Sequence, residues 1–205
     1  MNQIVNNIKI FSSFWILLSL YFVIPIFIDS TRVPDWFYYL DSNIPFIPFM
    51  IIPYYFYYIV VIVPPLIWRN EWEIRNITSI LNIITITCYM IFIIWPIDAS
   101  HVLNQVYFPS ESLFIFFHDF ITYGYLHQNA FPSMHVAVTT FLCLSYMNDF
   151  KNYRIIALLV AFLVFFATFL IKQHYFIDSI AGLFLGFLGF YYYVNKTKSC
   201  SNTLI

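Results

Sequence analysis

The sequence predicts an all-α fold: one polytopic membrane domain, residues 1–205, crossing the bilayer in six transmembrane helices. Two observations carry this. The chain of 205 residues is 61% hydrophobic and 23% aromatic but only 9% charged, whereas a soluble domain carries about a quarter charged residues. Its apolar residues also fall in long unbroken runs, not in the polar–apolar alternation of a transmembrane barrel. The same composition excludes disorder. A net charge of −1 provides no basic surface, so nucleic acid is excluded as a partner.

A spanning helix needs about 20 mostly apolar residues, and six runs qualify. The first covers 10–28 between Lys9 and Asp29, too long for a signal-peptide core and with no small-residue cleavage site after it. The second covers 44–68, is tyrosine-rich and contains Pro64-Pro65 near its end. The third covers 77–97. A long connection follows, in which Leu113-Phe114-Ile115-Phe116-Phe117 reads as a short helix on the membrane surface. The fourth covers 132–147, the fifth 155–171 and the sixth 175–194, ending in the interfacial triplet Tyr191-Tyr192-Tyr193. In lipid, backbone groups must be satisfied internally, so these runs are helices. Cys88 and Cys143 lie inside apolar runs and Cys200 in the tail, with no C-x-x-C pair. They read as small buried hydrophobes and one tail thiol.

Orientation follows from the cations. With six spans, one side collects Lys9, Arg69, Arg75, Lys151, Arg154, Lys196 and Lys198; the other has only Arg32 and Lys172. The positive-inside rule places both termini in the cytoplasm and the 98–131 connection outside. The sequon Asn195-Lys196-Thr197 then falls in the cytoplasm, where it is a chance match.

All five histidines fall on or near the outward side, and two sit in dense patterns. Ala130-Phe131-Pro132-Ser133-Met134-His135 opens the fourth span. Proline suits the first turn of a helix, and the free N–H groups there attract an anion. Ser133 adds a hydroxyl and His135 a titratable ring. Lys172-Gln173-His174-Tyr175-Phe176-Ile177-Asp178 opens the sixth span. His174 and Asp178 are four residues apart and share a helix face. A carboxylate bonded to one ring nitrogen fixes the tautomer and strengthens the other nitrogen as a nucleophile. An acid this close to a span's interior is costly and marks function. The fourth span crosses one way and the fifth returns, so His135 and His174 are expected at the same surface. Two histidines, one backed by an acid, suit phosphoryl transfer through a phosphohistidine: one attacks, the other protonates the leaving oxygen. No metal and no other cofactor is needed for this chemistry. Gly182 and Gly186 continue the stripe from Asp178 and predict a tight helix contact; an oligomer through that stripe is possible but not implied.

Phe131-Pro132-Ser133-Met134-His135 and His174-Tyr175-Phe176-Ile177-Asp178 resemble the paired motifs of the type 2 phosphatidic acid phosphatase superfamily. They are most similar to its branch with inositol phosphorylceramide synthase and sphingomyelin synthase. The resemblance implies six spans with outward or lumenal motifs. It makes His174 the nucleophile, Asp178 its orienting partner and His135 the acid/base. The 98–131 connection contains no Lys or Arg, so phosphate binding is assigned to Lys172, Ser133, backbone donors and His127. The implied substrate is a phosphorylated lipid, with water or an alcohol as acceptor and membrane lipids as the surroundings.

Other polar residues read more blandly. His118-Asp119 is expected to be an interfacial loop pair. Asp35 and Asp41, with Arg32, are expected to be solvated in the first outward loop, where Arg32 is placed to clamp a headgroup. His101 and His127 form no fixed metal-binding spacing with His135. A non-enzymatic alternative is a small membrane transporter or assembly partner with a His/Asp proton site. It predicts further acids within the spans, and only Asp178 lies near an interior, with Asn82 and Thr85 in the third. A metal or haem protein using paired histidines is the third reading; colour or bound metal on purification would reveal it.

Overall fold

In the computed structural model, the described residues are 2–104, 106–107, 113–122 and 129–202. They form helices and connecting turns, with an isolated β-bridge between Thr31 and Ile97. The main helices are α1 (Asn2–Ser19), α2 (Asp35–Asp41), α3 (Ile51–Tyr54), α4 (Phe56–Ile62), α5 (Glu71–Ile94), α6 (Leu113–Thr122), α7 (Met134–Asp149), α8 (Arg154–Leu170) and α9 (Phe176–Asn202). Four stretches are long and apolar enough to cross a membrane: Gln3–Phe27, Glu71–Ile94, Lys151–Leu170 and Phe176–Lys198. They correspond to the first, third, fifth and sixth runs, with the first and third starting earlier than hydropathy suggests. The early start of α5 comes from a local cap. The Asn70 side chain accepts the Trp72 N–H at 3.0 Å, and Glu71 and Glu73 sit in the positive first turn.

The other two runs take different forms. Residues 44–68 are a chain of short helices, because Pro48, Pro53, Pro64 and Pro65 interrupt the backbone ladder. The 132–147 run becomes α7, whose 16 residues measure about 24 Å at 1.5 Å per residue. It is buried along almost its whole length and packs against α4, α5, α8 and α9. A helix buried on all sides is the centre of a bundle. The surrounding helices turn large apolar side chains outward, among them Ile16, Ile83, Ile94, Ile155 and Phe184. Such continuous exposed apolar surface belongs against lipid.

Each interruption frees a carbonyl four residues before the proline, and neighbouring side chains satisfy several of them. Pro25 frees the carbonyl of Tyr21, which accepts from Asn129 Nδ2 at 2.9 Å. Pro64 frees Val60, which accepts from Tyr146 Oη at 3.3 Å. Pro65 frees Val61, which accepts from Trp15 Nε1 at 3.0 Å. The breaks are therefore built-in joints with satisfied backbone.

Helices α7 and α9 approach most closely, as the glycine stripe predicts. A Cβ at Gly182 would collide with the backbone oxygen of Ser133, and one at Gly186 would lie 2.6 Å from the Ala137 oxygen. The stripe thus faces α7 of the same chain. At the far end Asp149 Oδ2 accepts from Trp68 Nε1 at 2.9 Å and from Tyr193 Oη at 2.7 Å, clasping the same two helices. Gly189 differs, since its nearest obstacle is the tip of Ile84 at 2.8 Å, a flexible atom. Gly182→Ala is expected to cost about 1–3 kcal/mol and lower the melting temperature in detergent clearly more than Gly189→Ala. Equal shifts would contradict the packing described.

Candidate active site

The starts of α7 and α9 meet at one end of the bundle. The Ser133 N–H donates to the Asp178 carbonyl at 3.0 Å, which locks the two helix starts together. Ser133 is the N-cap of α7; its hydroxyl oxygen accepts the Val136 N–H at 3.4 Å. His135 and His174 project into the same interior, with ring centroids 5.7 Å apart. The turn-and-return path read from span lengths therefore brings both histidines to one place.

His174 is buried. Its Nδ1 lies 2.9 Å from the Ala130 carbonyl and 3.6 Å from Asp178 Oδ2. The carbonyl only accepts, so Nδ1 carries a proton, and in the neutral ring Nε2 then holds the lone pair. Nε2 is buried and has no hydrogen-bond partner among the described residues. Asp178 Oδ2 accepts the Tyr175 N–H at 2.8 Å, the carboxylate half of a capping box at the start of α9. The carboxylate thus caps the helix and flanks the imidazole at once, its second oxygen also buried without a partner among the described residues.

His135 meets an aromatic wall. Tyr54 Oη lies 2.9 Å from its Nε2, and the Tyr57 ring is 4.4 Å away between centroids. A hydroxyl can donate to a neutral imidazole and accept from a protonated one, so Tyr54 suits both states of His135. A cavity of about 520 Å³ ends on His135, Tyr54, Tyr57 and Gln173. Phe22, Ile26 and Phe120 also line it and are exposed at the surface of the bundle.

The remaining expected contacts are arranged differently. Lys172 is buried in left-handed backbone at φ 61°. Its ammonium donates to the Ile44 carbonyl at 2.7 Å and the Asp41 carbonyl at 3.4 Å. Burial lowers its pKa, and nearby Asp41 opposes that shift. Asp41 is not solvated: it is fully buried, and its carboxylate accepts the Phe176 N–H at 3.1 Å. It caps α9 from 135 residues away, an acid at a helix N-terminus. Arg32 pairs instead with Asp35 at 3.0 Å, both exposed. His118 is not in an interfacial loop either; it is buried within α6, with Nε2 3.1 Å from the Ile171 carbonyl. The short helix expected at 113–117 exists and continues to Thr122. His127 lies outside the described residues. Among the described residues no three His, Cys, Asp or Glu side chains gather around a common point.

Tyr54, Gln173 and Asp41 escaped the sequence reading. The tyrosine sits in a run of tyrosines, and Asp41 in a polar loop. Gln173 had one available signal, its place directly before His174. Burial pushes the Asp41 carboxyl up to about 6, against the Phe176 N–H and the Lys172 charge, which both favour ionisation. The native state therefore holds this proton more tightly than the unfolded chain, whose carboxyl keeps its ordinary 3.8. Stability from this group should rise as pH falls from about 6 toward about 4 and stay level above about 7. Melting curves of wild type and Asp41→Asn across that range test it; the variant should lose that segment of the pH dependence.

Neither the curated proteins nor the solved structures contain a match to this chain. The sequence model of the PAP2 superfamily matches residues 35–192, well over half the chain, and that interval includes His135, His174, Asp178 and Tyr54. The chain belongs to the PAP2 superfamily, and with it to the phosphatase-type enzymes.

Proposed function

We propose that this protein is an integral-membrane lipid phosphatase or phosphotransferase that works through a phosphohistidine. The carrying observation is a histidine pair of which one member, His135, lines an apolar cavity that also reaches the exposed side chains of Phe22 and Ile26, while His174 lies directly behind it with ring centroids 5.7 Å apart. A soluble phosphate ester would gain nothing from such walls, whereas a lipid could slide in sideways between helices and bury its chains there.

In this mechanism His174 Nε2 attacks phosphorus. The Nδ1–H, held by the Ala130 carbonyl, keeps the attacking lone pair on Nε2. Asp178, 3.6 Å away, stabilises the positive charge that develops on the ring. His135 gives a proton to the leaving oxygen and takes one back from the acceptor, with Tyr54 as its partner in both states. The first turn of α7 supplies N–H groups and a favourable dipole for the phosphate. Ser133 and Lys172 shape this site by holding the start of α7 and the turn before His174, and Lys172 adds a positive charge close to the phosphate. His127 is the further candidate for a headgroup contact.

We also assign six crossings, with α7 and the short-helix chain at 48–67 completing the four long helices. Both termini are then cytoplasmic and the histidines face the outer or lumenal side, in keeping with the cation distribution.

A panel of phosphatidate, a polyprenyl pyrophosphate and phospholipid headgroup donors, with phosphate release and product mass followed together, tests this reading. His174→Ala should abolish every activity, and His135→Ala should reduce it by about 10²–10⁴. Undiminished turnover in His174→Ala would sink the proposal. For the topology, a cysteine placed at Arg32 should react with an impermeant thiol reagent from outside, while one placed at Lys151 should not.

A further inference from the structure

We propose that Gln173 is the acceptor-binding residue of this site: its amide oxygen receives the O–H of the molecule that takes the phosphoryl group. This rests on the phosphohistidine reading above and adds to it the chemical class of the second substrate.

Gln173 directly precedes His174 and lines the same cavity as His135. It is only 2% exposed. Its Nε2 donates to the Ile121 carbonyl of α6 at 3.4 Å. That bond decides which end of the amide is which, because a carbonyl can only accept. The other end, Oε1, is then the oxygen, and it is buried without a hydrogen-bond partner among the described residues. A buried acceptor of this kind carries a desolvation cost unless a ligand supplies a donor.

The identity of that donor follows from the chemistry. An ionised phosphate oxygen is itself an acceptor and cannot satisfy a carbonyl oxygen. Both halves of the reaction do place a hydroxyl beside the phosphorus. In the first half, the His174 Nε2 lone pair forms the P–N bond, the bond from phosphorus to the leaving oxygen breaks, and that oxygen takes the proton of His135. In the second half, the acceptor oxygen forms a P–O bond, its proton passes to His135, and the P–N electrons return to Nε2. Gln173 Oε1 holds the attacking O–H beside the phosphohistidine through the second half. Water and a lipid alcohol share this donor, and the apolar walls leave room for the body of the latter.

The test uses the full chain in proteoliposomes and phosphatidate labelled in its phosphate. Gln173→Met keeps the side chain's length but removes its oxygen; Gln173→Glu keeps an oxygen. Gln173→Met should acquire label on His174 at the wild-type rate and lose it at least about tenfold more slowly, so that phosphoenzyme accumulates. Gln173→Glu should restore part of the loss. Chasing with water alone or with an added lipid alcohol other than diacylglycerol, whose transfer is not the reverse of the labelling step, then separates the sources. An acceleration by that alcohol present in wild type and absent in Gln173→Met assigns the site to a lipid alcohol; a defect equal under both chases assigns it to water. If Gln173→Met slows both halves alike, or neither, the role of Gln173 is overturned. If wild type acquires no label beyond that of His174→Ala, the phosphohistidine reading falls, and this inference falls with it.

Discussion

The contact between α7 and α9 is the constraint on which the site depends. Two helices can approach to the point where backbone meets backbone only if one of them lacks side chains along the seam, and Gly182 and Gly186 provide that seam. The approach lets the Ser133 N–H reach the Asp178 carbonyl. From that bond, the separation of His135 and His174 follows with little freedom. The two rings need no direct bond to each other, since their spacing is inherited from the helices that carry them.

A second theme is economy in the use of charge. With so few ionisable groups in the chain, most of the buried ones satisfy backbone. Asp178 caps α9 while flanking His174, and Asp41 receives the next N–H of the same helix end. Lys172 spends its donors on the carbonyls of the 41–44 turn. The start of α9 is thereby fixed from three directions, which suits the nucleophilic role proposed for His174, since attack on phosphorus needs a defined angle.

The sequence made the class of fold legible because composition alone forces the chain into lipid, and it made the histidine pair legible because both motifs sit at helix starts. It concealed whatever depends on contacts remote in sequence. Asp41 reads as a loop acid, since nothing local announces that it will cap a helix 135 residues later. Lys172 reads as a free cation because carbonyl partners leave no trace in sequence. The 44–68 run was legible as apolar, and its prolines carried the signal that it could not be one straight helix. The central place of α7 was hidden for a different reason: hydropathy measures how apolar a run is, not whether protein or lipid will surround it.

The carbonyls released by prolines have a consequence for biogenesis. The Tyr21 carbonyl receives Asn129 Nδ2, and the Val60 carbonyl receives Tyr146 Oη. Both donors are translated long after their acceptors. The first half of the chain therefore gains these contacts only when its later part arrives. In such a protein the central helix acts as a late keystone, and a truncation before it should leave a nascent chain recognised by quality control even though its early helices are apolar enough to insert.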